Sequence, residues 1–149
     1  MGQAVLDIAM RYVHVVCFVI VVGGMVFISI AIKPSLKLLT DEQSSAFQKA
    51  FAARFHRVVY ICFAGLFVSG AYNWINLAGA YKEVGPKANI VIGIKALLAV
   101  VAFAIIWLRS IGLLKVPGKT CHLINLHLAA IIMLLAGLLR YWRMGLDGG

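Results

Sequence analysis

The sequence predicts an all-α integral membrane protein, a four-helix up-down bundle. Three observations carry that expectation. Of 149 residues, 63% are hydrophobic and the mean hydropathy is +0.98, more apolar surface than a water-soluble domain of this size can hide. The apolar residues fall into four runs long enough to cross a bilayer, at about 8–32, 58–77, 89–108 and 123–141. The connections are short, so successive helices should pack antiparallel in a single transmembrane domain, 1–149.

The first run is longer than a signal-peptide core and lacks its basic flank and small-residue cleavage site, so it reads as a retained helix. Pro34 is expected to end it, because proline has no N–H for the helical ladder. Thr40-Asp41-Glu42-Gln43 then reads as a helix start, with a threonine cap, acids in the first turn and glutamine at the third position. The segment 40–55 is amphipathic, with Phe47, Phe51 and Phe55 four residues apart. It should lie on the cytoplasmic membrane surface or extend the second helix into the cytoplasm. Gly85-Pro86 and Pro117-Gly118 break the chain before the third and fourth helices. The C-terminal Gly-Leu-Asp-Gly-Gly is expected to fray.

The net charge of +9 would suggest nucleic acid in a soluble protein; in a membrane chain it encodes topology. Lys33, Lys37, Lys49, Arg54, Arg57, Arg109, Lys115 and Lys119 flank the first and third connections. Arg11, Lys82, Lys87, Arg140 and Arg143 lie toward the other side. Eight against five places those connections in the cytoplasm and both termini outside, as in a bacterial inner membrane with periplasmic ends. Tyr12, Tyr72, Trp74, Tyr81, Tyr141 and Trp142 fit an outer aromatic belt. Cys17, Cys62 and Cys121 have no metal-knuckle spacing and read as small membrane residues rather than a disulfide framework.

Small and polar residues mark the inward faces, because membrane helices associate through close packing. The stripes are Met10, His14, Cys17, Gly24 and Ala31 on the first helix, and Arg54, Cys62, Gly65, Ser69, Asn73 and Asn76 on the second. On the third they are Ala88, Lys95, Ala99, Ala102 and Arg109, and on the fourth His122, Asn125, Ala129, Met133, Gly137 and Arg140.

Two of these residues are ionisable and sit inside spans. A central lysine costs roughly 2.5–3.5 kcal/mol on insertion scales, so an intramembrane charge is by default a functional residue. His14 and Lys95 each lie six residues from the outer end of their runs, a depth of roughly 9 Å. In an up-down bundle their helices are diagonal, so the two side chains are expected to face each other. A haem fits this pattern: His14 supplies the axial imidazole, Arg11 one turn outward meets a propionate, and Lys95 ligates or pairs with a propionate. Toward the cytoplasm, His56, His122 and His127 form a second cluster that could hold another haem or a metal, with His127 the deepest and facing with Ile131, Leu134 and Leu138. The plain alternative is a set of interfacial histidines and a snorkelling lysine.

Other chemistries are weaker. Met10, His14 and Cys17 follow i, i+4, i+7 and offer soft ligands for Cu(I), which makes copper handling the alternative. A proton-coupled exporter is disfavoured, because Asp7, Asp41, Glu42, Glu83 and Asp147 all sit at helix ends or in connections.

Arg11-Tyr12-Val13-His14, Gly23-Gly24 and Lys33-Pro34 resemble the first helix of the CopD-like copper-resistance membrane family and of the related HemJ-type protoporphyrinogen oxidases. Arg54-Phe55, Ser69-Gly70, Gly93-Ile94-Lys95 and Leu123-Ile124-Asn125 extend the resemblance over all four helices. It implies a haem b protein with its functional histidine at His14 and lysine at Lys95. Gly93 and Leu126 stand where the family pattern carries a histidine and an acid, and Val22 or Gly23 where it carries a tryptophan. The expected function is b-type haem binding, with one haem or two, in an electron-transfer role beside other membrane subunits or a redox partner. Porphyrinogen oxidation is the enzymatic alternative.

Overall fold

The computed structural model describes residues 2–147, with side chains for residues 2–76 and 85–145. The side chains of Tyr81, Lys82, Glu83 and Asp147 and the fraying of Gly148-Gly149 lie outside the described residues; the fraying expected at residues 145–147 is not seen, because α5 includes them. Every regular element among the described residues is helical: α1 (Gly2–Phe27), α2 (Lys33–Ser35), α3 (Asp41–Val84), α4 (Pro86–Ser110) and α5 (Gly118–Asp147). Four helical stretches, Gly2–Leu38, Asp41–Asn76, Pro86–Ser110 and Gly118–Gly145, are long and apolar enough to cross a membrane. The chain is therefore an all-α, four-helix integral membrane protein in contact with lipid. It divides into two compact units, Met1–Trp74 and Ile75–Gly149.

In the first unit, Pro34 does not end the first helix, contrary to expectation. The chain stays helical to Leu38 by changing its pitch: a π turn, Ile28–Ile32, precedes α2, and a 3₁₀ turn, Leu36–Leu38, follows it. Proline in an α-helix clashes with the carbonyl four residues back. The wider π turn, closed by Lys33 N–H donating to Ile28 O, opens the ladder where that clash would fall. Leu39 then turns to extended backbone and the first span is over.

The start of α3 is as the sequence predicts. Gln43 N–H donates to Thr40 Oγ1 and Thr40 N–H to Gln43 Oε1, both at 3.3 Å, a reciprocal capping box. The segment 40–55 takes the second of its two expected forms, since α3 runs unbroken from Asp41 and the segment extends the second span. Phe47, Phe51 and Phe55 stack one on the next at 5.9 and 5.6 Å.

Helices α1 and α3 pack antiparallel, and glycines set how closely. A Cβ on Gly24 would lie 2.6 Å from the Phe55 ring, and one on Gly65 would lie 2.7 Å from Cys17 Sγ. Each glycine is thus the space its opposite side chain occupies, as expected where no hydrophobic drive separates helix from lipid. Val21, Met25, Val59, Cys62, Phe63 and Ser69 are buried.

In the second unit α4 packs on α5. Gly85, at φ 90°, caps α4 and Pro86 takes its first turn, where a missing N–H costs nothing. At the far end Gly112, at φ 77°, closes a Schellman motif: Leu113 N–H donates to Leu108 O at 3.0 Å and Gly112 N–H to Arg109 O at 3.1 Å. The Arg109 guanidinium caps the connection by donating to Val116 O and lying 3.9 Å from Cys121 Sγ. The α5 stripe is rotated from the expected one. Asn125 and Ala129 are buried, but Met133, Gly137 and Arg140 are exposed and Cys121 and Leu139 take the inward places. The expected stripe has the right helical period but is centred roughly 70° round the helix from the buried residues Cys121, Asn125, Ala129 and Leu139.

Candidate functional site

The α1/α3 seam holds His14, half-buried, against the fully buried Ser69. His14 Nδ1 and Ser69 Oγ are 2.9 Å apart, and Ser69 Oγ is 2.5 Å from Gly65 O. A carbonyl oxygen can only accept, so the single Ser69 hydroxyl proton goes to Gly65 O. Ser69 Oγ must then accept from His14, which places a proton on Nδ1. In the neutral ring the lone pair is therefore on Nε2, the nitrogen type that ligates metals. Gly70 flanks the ring: a Cβ there would lie 3.4 Å from His14 Cε1.

Two turns toward the N-terminus on the same face of α1, Asp7 accepts a 2.8 Å hydrogen bond from the Tyr72 hydroxyl. Gln3 Nε2 approaches the same hydroxyl at 3.4 Å. Arg11 is exposed, one turn from His14. Tyr72 was expected in an aromatic belt, and its partner in the first helix was not foreseen.

Cys17 lies one turn C-terminal to His14 on α1. It neighbours Cys62, which is 4% exposed, and neither cysteine is in a disulfide. The two cysteines were expected to be unrelated small residues. The seam contacts show why they meet: Cys62 and Gly65 are one turn apart on α3, and Cys17 Sγ occupies the gap Gly65 leaves.

Lys95 belongs to the second unit. It shares an α4 face with the buried residues Ala88 and Ala102 at seven-residue intervals, and is itself half-buried. Among the described residues no carboxylate forms an ion pair with it.

His56, His122 and His127 do not form one set of ligands within a unit. His56 is in the first unit, tilted against Tyr60 at 6.3 Å. His122 and His127 are on α5, five positions apart and so about 140° apart around the helix. His122 is half-buried and His127 exposed beside Ile131, Leu134 and Leu138, which are exposed too. His127 Nδ1 donates to Leu123 O in its own helix at 2.8 Å, so this histidine satisfies a ring nitrogen without any partner helix. Among the described residues no group of three or more His, Cys, Asp or Glu is placed to hold a metal ion.

Asn125 completes the polar interior of the second unit. It is 3% exposed and Nδ2 donates to Cys121 O at 3.0 Å, while Oδ1 is buried with no hydrogen-bond partner among the described residues.

The residue that sequence reasoning undervalued is Ser69, which it placed on an inward stripe without a role. It stands on the predicted inward face of the second span, opposite the predicted inward face that carries His14. That pairing of faces is the signal that links them. Comparison with protein-family models, with curated proteins and with solved structures finds no match to this chain.

Proposed function

We propose that this protein binds b-type haem in the membrane through His14 Nε2 and serves in electron transfer, as a subunit beside other membrane proteins or a redox partner. The observation that carries the reading is the chain His14 Nδ1–H to Ser69 Oγ–H to Gly65 O. Metal-ligating histidines almost always donate their other ring N–H to a fixed acceptor, which sets tautomer and orientation. An imidazole held this way inside an apolar span fits the axial ligand of a haem.

When bound, haem supplies reversible one-electron exchange. The chain's residues do the rest. Ser69 holds the His14 ring in one tautomer, and Gly70 leaves room for that ring. The apolar faces of α1 and α3 exclude water. Arg11, exposed one turn from His14, is suited to a propionate at the membrane surface. The charge bias supports a bacterial inner membrane with outer termini.

The test is a reduced-minus-oxidised spectrum of the purified protein. A b-type Soret band lost in His14→Ala supports the reading. Absence of the band in the wild type, or its retention in His14→Ala, overturns the cofactor or the ligand respectively.

A further inference from the structure

We infer that Cys17 and Cys62 form a redox-active dithiol that closes to a disulfide by reducing a lipid-soluble quinone. Three observations place the sulfurs together. Cys17 and Cys62 are neighbours across the α1/α3 seam. The Cys17 sulfur lies where a Gly65 Cβ would be, 2.7 Å away, so it is pressed against the helix that carries Cys62 one turn back. Gly24 and Gly65 bring the two backbones close, which is the geometric condition for a disulfide between facing helices.

The location selects the oxidant. Cys62 is 4% exposed and both cysteines are inside membrane-length helices, where charged water-soluble oxidants such as glutathione disulfide do not go. Cys17 is only half-buried, so it is the sulfur that a lipid-phase molecule meets first, and Cys62 resolves. The stoichiometry also matches. Two S–H bonds break and one S–S bond forms, releasing two electrons and two protons. The quinone takes both electrons, and its two oxygens take the two protons to give the quinol. The third cysteine, Cys121, is in the other unit beside Arg109 and takes no part.

The experiment uses the full chain carrying Cys121→Ser, in detergent micelles under argon, with a short-chain ubiquinone as probe. The expected result is one quinol formed per chain, loss of both titratable thiols and loss of the mass of two hydrogen atoms. Cys17→Ser and Cys62→Ser should each abolish the disulfide and the quinol, with helicity by circular dichroism unchanged. Gly65→Ala, which displaces the Cys17 sulfur but leaves both thiols, should slow the reaction. An unreduced quinone, a stable quinone adduct on Cys17 without a disulfide, or equal oxidation by aqueous glutathione disulfide would overturn the proposal.

Discussion

The His14 ring and the Ser69 hydroxyl are hydrogen-bonded at 2.9 Å, and the Ser69 hydroxyl in turn donates to Gly65 O. The consequence is directional: His14 is a donor at Nδ1. Replacing Ser69 with alanine removes the acceptor and leaves the ring free to adopt the other tautomer. If His14 ligates haem, Ser69→Ala should weaken haem binding by roughly 10–100-fold, the usual cost of losing such an outer partner. Titration of the apoprotein with haem measures this. An unchanged affinity would remove the observation on which the haem reading rests.

The adjacent glycines Gly23 and Gly24 should respond oppositely to alanine. Gly23 has nothing within 4 Å of an added Cβ, whereas Gly24 would place one 2.6 Å from the Phe55 ring. Gly23→Ala should be neutral or stabilising by up to about 1 kcal/mol, from helix propensity alone. Gly24→Ala should destabilise by about 1–3 kcal/mol as Phe55 leaves its place in the stack. Unfolding in mixed micelles titrated with SDS compares the two, and equal effects would contradict the packing.

Gly112 holds φ 77° at the end of α4, where a side chain is strained. Alanine there should cost about 1 kcal/mol or more, through loss of the bonds to Leu108 O and Arg109 O. Faster amide exchange at Gly112 and Leu113 relative to the wild type is the expected signature.

Asn125 Oδ1 is a buried acceptor with no partner among the described residues, a state that costs about 1–3 kcal/mol. Leucine is close to asparagine in shape and has no acceptor to satisfy. Asn125→Leu should therefore leave stability within about 1 kcal/mol of the wild type or raise it. A larger loss in the same SDS titration would mean that Oδ1 is bonded in the membrane.

The π turn Ile28–Ile32 owes its position to Pro34. In Pro34→Ala the clash is gone and an N–H returns to the ladder. The turn should relax to α-helix, which backbone carbon shifts by NMR would report. Persistence of π geometry would assign it to packing instead.

Local chemistry was legible because it depends on neighbours in sequence. The four apolar runs, the Thr40/Gln43 capping box and the Gly85-Pro86 helix start all use interactions within a few residues, and the structure has each of them. Pro34 misled because its local rule is true of α geometry only, and the chain escaped by local π pitch. The α5 stripe misled at Met133, Gly137 and Arg140 because its period was right but the side that faces inward is set by packing on α4, which the segment alone does not encode.

By itself the sequence determined the helical class, the membrane-length spans and the presence of a costly histidine in the first of them, since hydropathy and helix period are properties of a single segment. Only tertiary structure decided what His14 touches and that Cys17 meets Cys62. Those contacts join residues 55 and 45 positions apart. They depend on the rotation and closeness of two helices, which Gly24 and Gly65 set by what they leave empty.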